Sequence, residues 1–416
     1  MRTPRRLIVA LLLCVIAVTA LAVALERRAR RPAKISAELD VAEALGGGLG
    51  KDDERFARAT APREFVFPAD HGAHDGFRTE WWYVTGNLFA ADGRAFGVQL
   101  TFFRNALIPE VPDVAEVAEA AIPAASPSRW RSAHVWMAHF ALSDSAAGTF
   151  RYAERFAREA IGLAGVTAPP SGSFRVALED WSIGSTAPSA ADFSPLRLRA
   201  REDGFAVDLA LEAGKPPVLQ GERGLSQKGP EPGNASYYYS MTRLPTRGTV
   251  SVDGETIPVT GEAWLDREWS TSALGPDLAG WDWFALQLGD GREVMFYRLR
   301  RKDGAVDSWS RGSLVAADGS SRSLDAADVQ LTPLSTWKSP TGASYPASWR
   351  LTLPDEAMDL EITPRVANQE LAVTVRYWEG AVEVKGTSRG QPLTGHGFVE
   401  MTGYAAAPAL GRAAAP

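Results

Sequence analysis

The sequence predicts an all-β fold made of two copies of one antiparallel, barrel-like module, and three observations predict it. First, an aromatic, β-prone stretch at 78–88 (RTEWWYVTGNL) meets Asp92-Gly93 and is followed by a returning stretch at 95–104 (AFGVQLTFFR). The same design recurs at 281–288 (WDWFALQL), Asp290-Gly291 and 292–300 (REVMFYRLR). Second, the spacings correspond. Trp81 to Asp92 is 11 positions and Asp92 to Arg104 is 12, against 9 from Trp281 to Asp290 and 10 from Asp290 to Arg300. Each arm shortens by two residues, so the alternation of faces is preserved. Third, Asp-Gly pairs recur at 75–76, 92–93, 203–204, 253–254, 290–291, 303–304 and 318–319. Short β-rich runs lie between them, at 174–178, 196–200, 205–211, 248–252, 347–353 and 371–378.

Taken in order, residues 1–34 read as a signal peptide or membrane anchor. Residues 7–25 contain one polar member, Thr19, and are long enough to cross a hydrocarbon core as one N-terminal hydrophobic helix. Ala22-Val23-Ala24 offers a small-residue cleavage site, so anchor and cleaved signal both stay open. The five positive charges at 27–34 run against the exported orientation that the reading prefers. Residues 35–61 read as a linker. The first module spans 62–238, with one helical candidate at 111–121 and a Gly/Pro-rich loop at 215–236. The second spans 239–404, and 405–416 form an Ala/Pro tail expected to be disordered.

The 416 residues favour two domains, and 45% hydrophobic with 23% charged content marks a globular chain. Eight of the 44 positive and one of the 50 negative residues fall in the first 34 positions, which leaves an acidic body. That balance disfavours a nucleic-acid partner. Cys14 is the single cysteine, so an intrachain disulfide is excluded. No phosphate loop is present. His71 and His74 share a loop with Asp70 and Asp75, where ordered hydrogen bonding is expected rather than a metal. His134 and His139 fall on opposite faces if 134–139 is a strand.

The strongest constellation is GEAWLDREWS at 261–270. On a strand Glu262, Trp264, Asp266 and Glu268 share one face, and Arg267 and Trp269 the other. A carboxyl beside tryptophans is poorly solvated, which raises its pKa and makes it a proton donor near neutrality. The residues alone leave a structural ion pair of Arg267 with Asp266 or Glu268 open beside that reading. In the first aromatic stretch Glu80 and Trp82 share a face, opposite Trp81 and Tyr83.

FPADHGAHDGFRTEWWYVTGNL, GEAWLDREWS, GWDWFALQLGDGREVMFYRLR and the closing YWEGAVEVKG and GHGFVEMTGY resemble the carotenoid 1,2-hydratase/AttH family over residues 62–404. The resemblance implies two tandem lipocalin-like (calycin) antiparallel β-barrels and chemistry without a cofactor. It also implies an aspartate in a Tyr-x-Asp-like motif, which Asp266 matches, with Trp264 in place of the tyrosine. The departures at Trp264 and 267–269 place the chain nearer the branch called predicted secreted hydrolase, often encoded beside ABC-transporter components.

The expectation is an exported protein, held at the inner membrane with its body in the periplasm or secreted if cleaved, that binds an apolar isoprenoid or lipid in a barrel interior. Two readings remain. One is a cofactor-independent hydratase or hydrolase, with Asp266 as general acid, Glu268 or Glu80 in support, and Trp82, Trp264, Trp269, Trp281 and Trp283 lining the site. The other is a lipid carrier working with an ABC transporter.

Overall fold

Two Asp-Gly turns start the two sheets in the same way. Ala90 N–H donates to Arg94 O and Leu288 N–H to Arg292 O, closing matching loops. In each loop the Asp side chain (Asp92, Asp290) accepts the N–H two residues on, and a glycine (Gly93, Gly291) takes φ of 88° or 85°. Glycine enters that left-handed region without the steric cost other residues carry.

The computed structural model describes residues 55–107, 132–271, 274–275 and 277–405. The expected N-terminal helix, the helical candidate at 111–121 and nearly all of the tail lie outside them. Among the described residues no helix is long and apolar enough to cross a membrane.

The first sheet begins with β1 (Thr79–Ala90), β2 (Ala95–Ala106), β3 (His134–Asp144) and β4 (Thr149–Arg158). It continues through β5 (Ala164–Thr167), β6 (Arg175–Leu178), β7 (Trp181–Ser185), β8 (Leu196–Glu202) and β9 (Phe205–Leu211). The short β10 (Val218–Leu219) and β11 (Leu225–Gln227) precede the long hairpin β12 (Ala235–Val252) and β13 (Glu255–Ser270). The second sheet holds β14 (Leu278–Leu288), β15 (Glu293–Arg301), β16 (Arg311–Val315), β17 (Ser321–Asp325) and β18 (Gln330–Lys338). Then come β19 (Ser344–Leu353), β20 (Met358–Pro364), β21 (Glu370–Ala372), β22 (Arg376–Ser388) and β23 (Gln391–Thr402).

Strand order is β4-β3-β2-β1-β13-β12-β9-β8-β7-β6-β5 in one sheet and β17-β16-β15-β14-β23-β22-β20-β19-β18 in the other. Each is antiparallel and barrel-like. Read from β1 and from β14 the orders coincide strand for strand through β7 and β18, so the two predicted hairpins occupy equivalent places. The change of sheet falls between β13 and β14 rather than near residue 238. β12 and β13 extend the first sheet because β13 pairs along the whole of β1, from Thr79↔Ser270 to Ala90↔Val259.

Alternate residues divide the work of each strand. Trp82, Val84 and Leu88 of β1 join Trp136, Phe140 and Trp181 in one core. Phe284 and Leu286 of β14 join Tyr345, Trp349 and Leu351 in the other. The two barrel-like interiors are thus filled by side chains. The opposite faces, with Tyr83, Tyr238, Trp264, Trp283, Tyr297 and Phe398, pack the sheets together. β1 runs against β23, β2 against β22 and β12 against β14.

Candidate functional site

The sheets do not close on each other everywhere. Between them lies a cleft with about 690 Å³ of atom-free space, part of it open to solvent. Its walls are mostly aromatic, with Trp81, Tyr83, Phe103, Tyr238, Trp281, Trp283 and Tyr297. Half-buried Trp81, Leu274 and Trp281 mark the open side. The cleft lies outside both barrel interiors, where a ligand site had been expected.

Strand register brings the carboxyls here. Asp266 on β13 stands opposite Tyr83 on β1 and Ser240 on β12. Side chains directly across an antiparallel ladder share a face, so Asp266 points with Tyr83 into the cleft. One Asp266 oxygen accepts from Ser240 Oγ at 2.6 Å and from Trp264 Nε1 at 2.7 Å; the other accepts from Tyr238 Oη at 2.7 Å. Trp283 Nε1 donates to that tyrosine oxygen at 3.2 Å. Burial pushes the Asp266 carboxyl up to about 7; the three hydrogen bonds pull the other way, and Glu268 adds to the rise. Desolvation of a charge outweighs its hydrogen bonds here.

Glu268, two residues on, accepts from Ser236 Oγ and lies 3.3 Å from Lys228 Nζ. Lys228 also sits 3.9 Å from the centre of the Tyr297 ring, an arrangement in which the ring face attracts the ammonium. Trp264 meets Trp283 edge to face at 6.4 Å between ring centres.

The second sheet contributes Glu400 on β23 and Glu379 on β22, which are register partners. Trp281 Nε1 donates to Glu400, and Tyr83 Oη donates to Glu379 Oε1 at 2.6 Å across the sheet interface. Burial, then the charge of Glu400, pushes the Glu379 carboxyl well above its ordinary range. Its other oxygen, Oε2, is buried without a partner among the described residues, and in the protonated form it can donate to the neighbouring Glu400. Burial raises Glu400 to about 7, against the pull of Trp281 and Glu379, with Glu268 and Asp266 adding to the rise.

Of the residues singled out from the sequence, Asp266, Glu268, Trp264, Trp281 and Trp283 are brought together here. Glu80, Trp82 and Trp269 are not, because they occupy the other faces of β1 and β13, inside the first sheet. Glu80 lies 2.6 Å from Arg104 Nε and 3.0 Å from Arg267 Nη2. Burial alone would raise its pKa, and Arg104, His74 and Arg267 overcome it and hold the carboxyl low. Arg267 therefore pairs with Glu80 and not with Asp266. Trp82 Nε1 donates to His71 O at 2.9 Å, and Trp269 stacks on His74 at 3.7 Å.

Sequence reasoning missed Glu379, Glu400, Lys228 and the tyrosines 83, 238 and 297 as site residues. One signal for Glu400 was present: it lies in the closing GHGFVEMTGY, on the strand that pairs with the second aromatic stretch. Lys228 had none, since it sits in the loop expected at 215–236.

Comparison with known proteins agrees with this architecture. A crystal structure of a candidate AttH protein from Nitrosomonas europaea is 37% identical, covering 84% of this chain and 100% of that one, with a TM-score of 0.70. The crystal structure of kievitone hydratase from Nectria haematococca shares the fold at 16% identity, covering 86% of this chain and 100% of that one, with a TM-score of 0.60. No curated protein matches the sequence. The AttH-like family model matches residues 58–404, and the chain belongs to that family.

Proposed function

We propose that the cleft between the sheets binds an uncharged, largely apolar small molecule and adds water to it, or removes water, by acid catalysis from Asp266. The observation that carries this reading is a buried carboxyl poised near neutrality at the wall of an aromatic cleft, oriented by Tyr238, Ser240 and Trp264. Protonation of an electron-rich double bond needs a donor whose pKa lies near the working pH. The carbocation that forms would face Trp81, Trp281 and Trp283, whose ring faces attract positive charge. Water then completes the addition. A protein of the same fold is named a hydratase, and the scaffold is therefore compatible with such chemistry.

The test begins with the full-length protein purified without added ligand. The apolar compound that accompanies it is extracted, identified by mass spectrometry and returned to the protein in heavy-oxygen water. Wild type should yield a product carrying one heavy water, and Asp266→Asn should slow its formation on the order of 10²–10⁴-fold. A compound that binds both proteins and returns unchanged would sink the enzymatic reading and favour carriage, with an ABC-transporter component as the partner to seek. The same reading includes export, motivated by the apolar run at 7–25. Protease added to intact spheroplasts should digest the body; protection until lysis would overturn export.

A further inference from the structure

We propose that Glu400 is a second proton-transfer group of the cleft, so that Asp266 and Glu400 exchange the roles of acid and base over one turnover. This rests on the hydration reading above and names the base that reading lacks.

The first support is positional. Asp266 stands across the ladder from Tyr83 on β1, and Glu400 stands across from Trp283 on β14. β1 and β14 hold equivalent places in their sheets, as do β13 and β23. Two residues before each acid comes an aromatic, Trp264 or Phe398, on the same face. Each repeat thus presents a carboxyl from the same face of its equivalent strand, Asp266 seven residues beyond Val259 and Glu400 five beyond Gly395, and both line the cleft together with Glu268.

The second support is orientation. Glu400 is held by Trp281 Nε1 and by Glu379, which the first-sheet Tyr83 fixes in turn. The donors around Asp266 come from β12 and β13. The two acids are therefore held by different direct donors, with Tyr83 and Trp283 bracing each set from the opposite sheet.

The third support is electrostatic. Asp266 and Glu268 both disfavour ionisation of Glu400. Two carboxyls sharing a low-dielectric site hold one negative charge far more readily than two. Around them, Lys228 is engaged by Glu268, Glu379 is kept protonated, and burial keeps Tyr83, Tyr238 and Tyr377 in their neutral forms.

The step balances without an outside reagent. The Asp266 O–H bond breaks and its proton goes to one alkene carbon, where the π pair forms the new C–H bond. A water lone pair forms the C–O bond at the other carbon, and the proton leaving that water goes to ionised Glu400. Asp266 ends ionised and Glu400 neutral, so the cleft holds one shared charge before and after. Proton return from Glu400 to Asp266 resets the site. The reverse sequence removes water.

The pair is tested without any ligand by infrared titration of the carboxyl bands in full-length wild type, Asp266→Asn and Glu400→Gln. Each substitution should remove one band and shift the other acid's titration to lower pH. An unmoved Asp266 titration in Glu400→Gln overturns the pair. The role is tested with the compound recovered from the purified protein as substrate. Glu400→Gln should slow turnover at least about 100-fold, while Glu400→Asp, which keeps the acid, should recover much of it. Binding of the fluorescent apolar probe N-phenyl-1-naphthylamine and the melting temperature should hold in both. If Asp266→Asn stops turnover and Glu400→Gln does not, Asp266 acts alone and this inference falls while the hydration reading stands. If neither slows turnover, both fall.

Discussion

Asp266 and Glu80 are buried carboxyls on opposite faces of neighbouring strands, and their surroundings decide opposite protonation states. Near Asp266 only neutral donors oppose desolvation, so the native state holds its proton up to about pH 7. Between about pH 4 and 7 the folded chain therefore binds a proton that the unfolded chain has lost. Stability from this group is present below about pH 4 and lost as pH rises through 7, with an upper bound of roughly 4 kcal/mol. Glu400 acts in the same sense. His71, which burial first and Arg267 second lower to about 3, acts in the opposite sense. The quantity to measure is thus the difference between Asp266→Asn and wild type. In urea melts that difference should move in favour of the variant between pH 5 and pH 8, and no change would contradict a raised Asp266. Asparagine keeps an acceptor oxygen for Ser240 and Trp264, so the fold should survive. Glu80→Gln should behave differently, because it removes the buried counter-charge that Arg104 and Arg267 share, leaving Arg104 only the exposed Asp75 at 3.4 Å. A loss of about 3–5 kcal/mol is expected, read as a lower melting temperature. The grouping of Glu80 with Trp82, and of Asp266 with Trp264, was legible from strand alternation. Which face met the cleft was not, since that depends on how the second sheet packs against the first.

At the scale of elements, β2 shows how closely the sheets approach. A Cβ added at Gly97 would lie 2.4 Å from the Ala381 Cβ on β22 and 2.5 Å from Ser143 Oγ. The serine hydroxyl can rotate away, but Ala381 cannot move without its strand. Gly97→Ala should cost about 1–3 kcal/mol and widen the cleft, which tighter or looser probe binding beside a denaturant melt will show. Unchanged stability would mean that the sheets slide apart freely. The hairpins and most strands were legible, because alternation and Asp-Gly turns are local signals. The boundary near 238 was not, because β12 runs on as one strand of 18 residues through that point, with only a local register shift between Met241 and Leu244. The loop at 215–236 was legible as irregular, yet its Lys228 could not be assigned to a site by any local rule.

At the scale of the molecule, the two sheets are tied by buried polar contacts as well as by apolar area. Tyr83 reaches Glu379 at 2.6 Å, Asn87 Nδ2 donates to Gly397 O at 3.0 Å, and His139 Nδ1 lies 2.7 Å from Tyr377 Oη. Separating the sheets would exchange these hydrogen bonds for bonds to water, at a net cost of about 0.5–1.5 kcal/mol for each. Calorimetry should therefore record one cooperative transition; two resolved peaks would show sheets that melt independently. Family resemblance and repeat spacing made two barrel-like sheets legible. The position of the cleft was not, since a single barrel pattern carries no information about what its outer face will meet.

That cleft is walled by the outward residues of strands whose inward residues make the cores. Trp82 and Tyr83 are neighbours in sequence, yet one belongs to a core and the other to the cleft. Every such strand carries two interleaved messages, one for folding and one for recognition, written at alternate positions. A lineage can therefore rewrite the second message letter by letter while the first stays constant, and chains of this build can diverge in what they bind long before they diverge in shape.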